Sequence, residues 1–454
     1  MNFIAAISGW IWGIPMLLLL GGTGLFLTTR LCFFQIKYAP YILKETFGKM
    51  FTKGKGEGTI SPFQAASTAL ASTVGASNIV GVPTAIMFGG PGAVFWMWTI
   101  AIFGMGSKFS EVVLGLKYRE KNEEGVYVGG PMYYMKNGLN LKWLGAFFSL
   151  FLMIEILASI MVQSNSVAAS ALETFKLRTS ISGIVTLIIV SLVVIGGIKR
   201  IGNVAEKLVP IMAGLYILAS VIIIVINFKE IPTMFWLIFR NAFTPMSAIG
   251  GFTGSTVAAS IRWGMARGIY SNEAGMGTAP IAHSTAIIDH PVRQGFWAIF
   301  EIIVDTLIIC SATAFVVLVS GVWKSPGAFD NPSGLPAMAF VNYFGSTGGI
   351  LITLCLLLFV ISTIIVITFY GEKQAEFLFG LKFSKVIRYV YLISIFIGAI
   401  GGAKFLWNFL DLSLALIIIP NLITVIMLHN DVVKLKNEFF TSAKYYLKNK
   451  TDVR

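Results

Sequence analysis

The sequence has little charge. Asp, Glu, Lys and Arg make up 12% of its 454 residues, about half the roughly 25% of an ordinary soluble chain. A soluble fold needs a wetted polar shell, and this composition cannot supply one. Histidine is scarce. His283, His290 and His429 fall in expected connecting segments without metal-ligand spacing, so neither a zinc centre nor a nucleophile–base pair is in prospect and no enzyme is expected. The three cysteines, Cys32, Cys310 and Cys355, have no paired spacing. They are expected to be buried thiols acting as small hydrophobes, which excludes a disulfide framework. SNEAGMG at 271–277 lacks the lysine of a phosphate loop, and no other nucleotide motif stands out. No cleavable leader is evident: no basic stretch precedes the apolar run 11–27, which is expected to stay in a membrane.

Apolar residues dominate instead, at 56% with a mean hydropathy of +0.80. Spanning-length runs recur near 10–29, 60–87, 91–116, 143–172, 180–198 and 205–228, then near 232–262, 294–321, 337–370, 384–403 and 405–428. In lipid the backbone must close its own hydrogen bonds, so each is expected to be a helix. The fold class is therefore an all-α integral membrane protein of about eleven spans. Most basic residues fall in alternate connections, including Arg30 to Lys55, Lys117 to Lys142 and the tail from Lys434. That pattern predicts an N-terminus outside and a C-terminus in the cytoplasm. The net charge of +13 then reads as an orientation signal and not as a nucleic-acid footprint. The basic tail with Phe439, Phe440, Tyr445 and Tyr446 is expected to skim an anionic leaflet.

One helix followed by five and five implies an inverted repeat. The expected divisions are an extra helix in 1–30, a basic loop 31–59, a first repeat 60–228, a second repeat 229–428 and a basic tail 429–454. The first run of each five is interrupted, by STVGASN at 72–78 and by SAIGGFTGS at 247–255. Paired breaks of this kind are the sequence pointer to a transporter site. At the first, freed carbonyls suit a hard cation such as sodium, and freed amides suit a carboxylate. Asn78 adds a side-chain oxygen. At the second, carbonyls would face an ammonium group and Phe252 would cap a small pocket. Either break also reads as a packing notch between helices.

Gln163 and Asn165 are polar in an otherwise apolar run, open to bridging helices or to touching a ligand. Ser362 and Thr363 are adjacent hydroxyls that either bond the preceding turn or complete a cation site. Glu155, Glu301, Asp305 and Asp411 lie within apolar runs, where acids default to function. Glu301 and Asp305 share a helix face and are open to a shared-proton role, to cation coupling, or to pairing with Lys108 or Lys404. A proton-coupled carrier using Asp305 or Glu301 is the main alternative to sodium coupling; a channel or membrane enzyme ranks lower.

VGASNIVGVPTAIMFGGPGAVFWMW, GGPMYYM, ARGIYSNEAGMGTAPIAHSTAIIDHPVRQGFWAIFE, FYGEKQAEFLFG and IPNL together resemble the alanine or glycine:cation symporters, prokaryotic amino-acid carriers of the cell (inner) membrane. The resemblance runs from about residue 60 to 425. It implies a leucine-transporter-type core of two inverted five-helix repeats, and symport of a small neutral amino acid (alanine, glycine or D-alanine) with sodium as co-transported ligand and no cofactor. On that resemblance Thr73, Gly75, Asn78, Gln163, Gly251, Phe252 and Thr253 are expected near substrate. Carbonyls of Ala71 and Val74 with Ser362 and Thr363 resemble a sodium site. Ser77 stands where the family commonly has glycine, and its hydroxymethyl group either narrows the pocket or adds a ligand.

Overall fold

The fold is described from a computed structural model, covering residues 11–247, 249–250, 252–401 and 404–446, the side chains of 404–409 and 411 excepted. It is almost entirely helical. The main elements are α1 (Ile14–Arg30), α2 (Pro62–Thr73), α3 (Val82–Gly89), α4 (Ala93–Lys117), α5 (Lys142–Phe175), α6 (Thr179–Val194) and α7 (Gly197–Ile226). After them come α8 (Ile231–Phe243), α9 (Val257–Asn272), α10 (Ala279–His283), α11 (Pro291–Val319), α12 (Ser346–Phe379), α13 (Leu381–Ile400), α14 (Lys404–Met427) and α15 (His429–Thr441).

Six of these helices are long and apolar enough to cross a membrane, or up to eight if each of two bent pairs is one span. Burial separates centre from rim. In α4, 83% of the most apolar stretch is buried, against 39% in α7 and α13. On the rim, Ile181, Ile184, Ile188 and Leu192 of α6, Leu218 and Ile222 of α7, and Ile393 and Ile397 of α13 are exposed. An apolar band of that kind is a surface for hydrocarbon.

Local chemistry sets the helix ends. Ser61 and Gln64 form a reciprocal capping box at the start of α2, with Pro62 in the first turn. Proline at 291 opens α11 in the same way, its cap supplied by the His290 ring accepting from the Val292 amide. Between α2 and α3 the chain leaves helical geometry at Val74 and resumes as a wide turn over Ser77–Gly81. Pro83 explains the wide turn: it has no N–H to give the Ile79 carbonyl, and its ring would strike that oxygen in a regular helix. The two pieces meet at a bend of 48°.

Two expectations need correction. The run 232–262 is not one span. Helix α8 stops after Phe243, and Met246 then pairs with Ser255 and Ile249 with Phe252 in a tight turn. Thr256 caps α9 through the Ala259 amide. The Gly/Ser/Thr cluster thus interrupts the run as expected, between α8 and α9. A second non-helical stretch lies further on, at 273–278 between α9 and α10, where Glu273, Gly275 and Gly277 all have positive φ. Similarly, 337–370 is divided at Gly345, another positive-φ residue, between a short helix Leu335–Phe344 and α12.

The helices about the breaks pack closely. Helix α4 lies against α1, α9 and α11, while α5 lies against α12, α13 and α14. Gly264 sits where α9 crosses α4; a methyl group there would lie 2.2 Å from the Ala93 carbonyl oxygen. Overpacking costs about 1–3 kcal/mol, so Gly264→Leu is expected to lower the thermal unfolding temperature of the purified protein in detergent, with Gly214→Leu, whose surroundings are open, as the near-neutral comparison.

Candidate functional site: a cavity between two interrupted helices

Where α2 ends, its last carbonyls lose their helical partners. The Gly75 amide donates to Asn78 Oδ1 at 2.9 Å. Asn78 Nδ2 donates to Asp305 Oδ1 at 2.6 Å and to Ser271 Oγ at 2.9 Å. Asp305 Oδ2 also accepts from the Ser271 and Thr306 hydroxyls, each at 2.8 Å. The Asn78 carbonyl accepts from Thr313 Oγ1 at 2.8 Å. Asn78 is thus a fully buried strut joining the first break to α9 and α11.

The second break is held as firmly. Lys108 Nζ donates to the Asn272 carbonyl at 2.9 Å, at the negative end of α9, and pairs with Glu301 Oε2 at 2.9 Å. The other Glu301 oxygen contacts His283 Nε2 at 2.5 Å. Gln294 Nε2 reaches both the Pro62 carbonyl, at 3.1 Å, and His283 Nδ1, at 2.7 Å. Since the Pro62 carbonyl only accepts, that nitrogen is the amide donor. His283 Nδ1 therefore accepts and Nε2–H faces Glu301. On the far side, Asn421 donates to the Gly275 carbonyl at 2.9 Å and to Glu111 at 2.5 Å, and receives the Tyr134 hydroxyl.

Both breaks open on one cavity of about 170 Å³. Thr73, Gly75, Ala76 and Ser77 form its wall at the first break. Glu273, Met276 and Thr278 form it at the second. Gln163 projects from α5, Arg267 and Tyr270 from α9, and Thr363 and Tyr370 from α12. Room of this size holds several waters, enough for a small zwitterion.

Of the residues expected at the substrate, Thr73, Gly75 and Gln163 line this cavity, and Ser77 lines it beside them. Three of the four expected sodium ligands have contacts at or beside the first break. Ser362 Oγ lies 3.4 Å from the Ala71 carbonyl, and a methyl group on Gly75 would come within 3.0 Å of Thr363 Oγ1. Both hydroxyls also donate to the Phe359 carbonyl, at 2.8 and 2.9 Å.

Other residues lie elsewhere. Asn78 is behind the wall. Phe252 is buried against Trp323, with ring centroids 5.6 Å apart, and Phe252 and Thr253 are not on the wall. Gly251 and the side chains of Lys404 and Asp411 lie outside the described residues. Glu301 and Asp305 are not on the wall either, being engaged by the buried groups above. Asn165 donates to the Gly398 and Gly401 carbonyls, a bridge between α5 and the end of α13. His283, expected in a connecting segment, is buried at the second break. Sequence reasoning missed Glu273, Arg267 and Tyr270 on the wall, and Glu111 and Asn421 behind it. The signal was present in the glycines at 275 and 277, which bracket a turn directly after a helix.

A cavity flanked by two helix breaks, with helix-end residues and hydroxyls on its walls, can seat a cation and a zwitterion together. The sodium:alanine symporter family pattern matches residues 1–453. The chain belongs to the sodium:alanine symporter family. Within that family it is 57% identical over 447 residues to the uncharacterized transporter YflA of Bacillus subtilis (strain 168), covering 98% of this chain and 95% of that one. It is 39% identical over 455 residues to the sodium/alanine symporter AgcS of Methanococcus maripaludis, covering 99% of each. Among solved structures, a manganese transporter of Eremococcus coleocola shares the fold, with a TM-score of 0.51 and 12% identity over 86% of this chain and 82% of that one. This symporter-family member is therefore a multi-pass helical transporter.

The Lys108–Glu301 pair generates a stability prediction. Both side chains are fully buried. Removing one partner of such a pair costs about 3–5 kcal/mol. Lys108→Met is expected to lower the unfolding temperature sharply. The double variant Lys108→Met/Glu301→Gln should recover part of the loss, and a double-mutant cycle by thermal unfolding in detergent measures the coupling.

Proposed function

We propose that the protein carries a small neutral amino acid, with alanine first, into the cell together with sodium by alternating access. The observation that carries this reading is the meeting of both helix interruptions on one buried cavity. In this reading α1 is an extra helix ahead of two inverted five-helix repeats, 60–228 and 229–428, giving eleven spans. The N-terminus faces outward and the C-terminus the cytoplasm of a prokaryotic cell.

Sodium sits between the Ala71 and Val74 carbonyls and the Ser362 and Thr363 hydroxyls. Those oxygens are neutral, hard ligands at the negative end of α2. The amino-acid carboxylate meets the amides that follow Gly75, with Gln163 and Thr73 beside it. Its ammonium group faces the second break at 273–278 in place of the turn at 251–253. Sodium stiffens the joint between α2 and α3, so the two affinities are linked and reciprocal. Asn78 acts through Gly75 and Asp305 and does not touch substrate. Glu301, engaged by Lys108 and His283, and Asp305, filled by three donors, are poorly placed as proton carriers.

Labelled alanine uptake into proteoliposomes, with sodium present or replaced at fixed pH, tests the reading. Uptake should require sodium and should be accelerated by internal alanine. Uptake that persists without sodium at constant pH would return the choice to proton coupling. Thr363→Val removes one oxygen ligand, worth about 1.4 kcal/mol. The sodium concentration for half-maximal uptake is expected to rise about tenfold, while alanine affinity at saturating sodium changes little. Asn78→Ala should lose both, because it releases Gly75 and Asp305 together.

A further inference from the structure

Glu155 lies on α5 two turns before Gln163. It is 8% exposed and lines the cavity. Among the described residues it has no hydrogen-bond or ion-pair partner. Glu273, a second carboxylate, stands on the same cavity wall and holds the Thr278 hydroxyl at 2.5 Å. A lone carboxylate at membrane depth is expensive, and a like charge beside it adds to the cost. Lys108 is committed to Glu301 and to the Asn272 carbonyl. Arg267 lies over the rings of Trp263 and Tyr270, on the side of Gly81. A zwitterionic substrate brings no net charge. Neither that substrate nor Lys108 thus supplies a partner for an ionised Glu155.

Resting on the symport reading above, we propose that Glu155 and Glu273 hold a second monovalent cation of sodium's class in the loaded transporter, apart from the neutral-oxygen seat at Ala71, Val74, Ser362 and Thr363. Further oxygens stand ready for it. Ser159 and Gln163 follow Glu155 at four-residue steps and both line the cavity. That spacing sets the three side chains on one helix face about 6 Å apart along the axis. A carboxylate pair with hydroxyl and amide oxygens is a donor set for a hard cation. Two seats on opposite sides of one substrate would make uptake cooperative in sodium.

The test uses the full chain in proteoliposomes, with labelled sodium and labelled alanine at fixed pH. The wild type is expected to show a Hill coefficient for sodium approaching about two, the number of sites, and two sodium ions carried per alanine. Glu155→Gln should fall to about one on both readouts, and Glu155→Asp, which keeps the carboxylate, should restore cooperativity. Thermal unfolding in sodium against choline checks that each variant is folded and should show a smaller sodium-induced rise for Glu155→Gln than for the wild type. The proposal is overturned if the wild type carries one sodium per alanine. It is also overturned if Glu155→Gln keeps wild-type cooperativity and flux ratio. A rise in alanine KM alone would make Glu155 an ammonium seat instead, and a proton in place of the second sodium would likewise overturn it. Wild-type uptake indifferent to sodium would sink the symport reading as well, a result distinct from all the others.

Discussion

In hydrocarbon a helix cannot simply stop and restart, because the amides and carbonyls it releases have no water to turn to. Everything near the cavity follows from that constraint. Each of the two breaks frees backbone groups, and each has side chains from distant helices answering some of them. Asn78 takes the Gly75 amide at the first. Lys108 and Asn421 take the Asn272 and Gly275 carbonyls at the second. On the proposed reading, the backbone and hydroxyl groups left over on the cavity side are the ones offered to cargo.

These repairs also sort the helices into groups. Gln294 and His283 link α11 and α10 to the start of α2, and Glu301 links α11 to α4 through Lys108. Asn78 ties the turn before α3 to α9 and α11. The interrupted helices are therefore fastened to α4 and α11 by buried polar contacts. Opposite them, α5, α12 and α13 are packed together, with Asn165 bonded to carbonyls at the end of α13. The cavity lies between the two groups and takes wall residues from both. Two bodies with stiff interiors and a cavity along their seam can shift against each other without breaking either core.

Much of this was legible from residues alone, for identifiable reasons. The first break is written in the small-residue run at 72–78, and it fell where expected. The long apolar runs gave most helices to within a few residues. The stretch at 273–278 was not singled out, because it and the cluster at 247–256 are both rich in small residues. What separates them is Thr256, a cap, and the positive-φ run of Glu273, Gly275 and Gly277 after a helix that continues beyond 262. The Lys108–Glu301 pair was one open reading among several, since sequence supplies the charges and not the distance. Glu111 was passed over inside an apolar run, because its partner Asn421 lies on α14.

The buried lysine has a consequence for biosynthesis. Helix α4 carries Lys108 and Glu111, but their partners Asn272, Glu301 and Asn421 all belong to later helices. At roughly 5–20 residues per second, Glu301 emerges about ten to forty seconds after Lys108. Through that interval the lysine lacks Glu301, and a lysine or aspartate at the centre of a span opposes insertion by about 2.5–3.5 kcal/mol on translocation scales. Helix α1, which packs along α4 in the finished fold and is made before it, is the neighbour at hand to shelter it. The first helix is thus positioned to act in assembly before there is any cavity to serve.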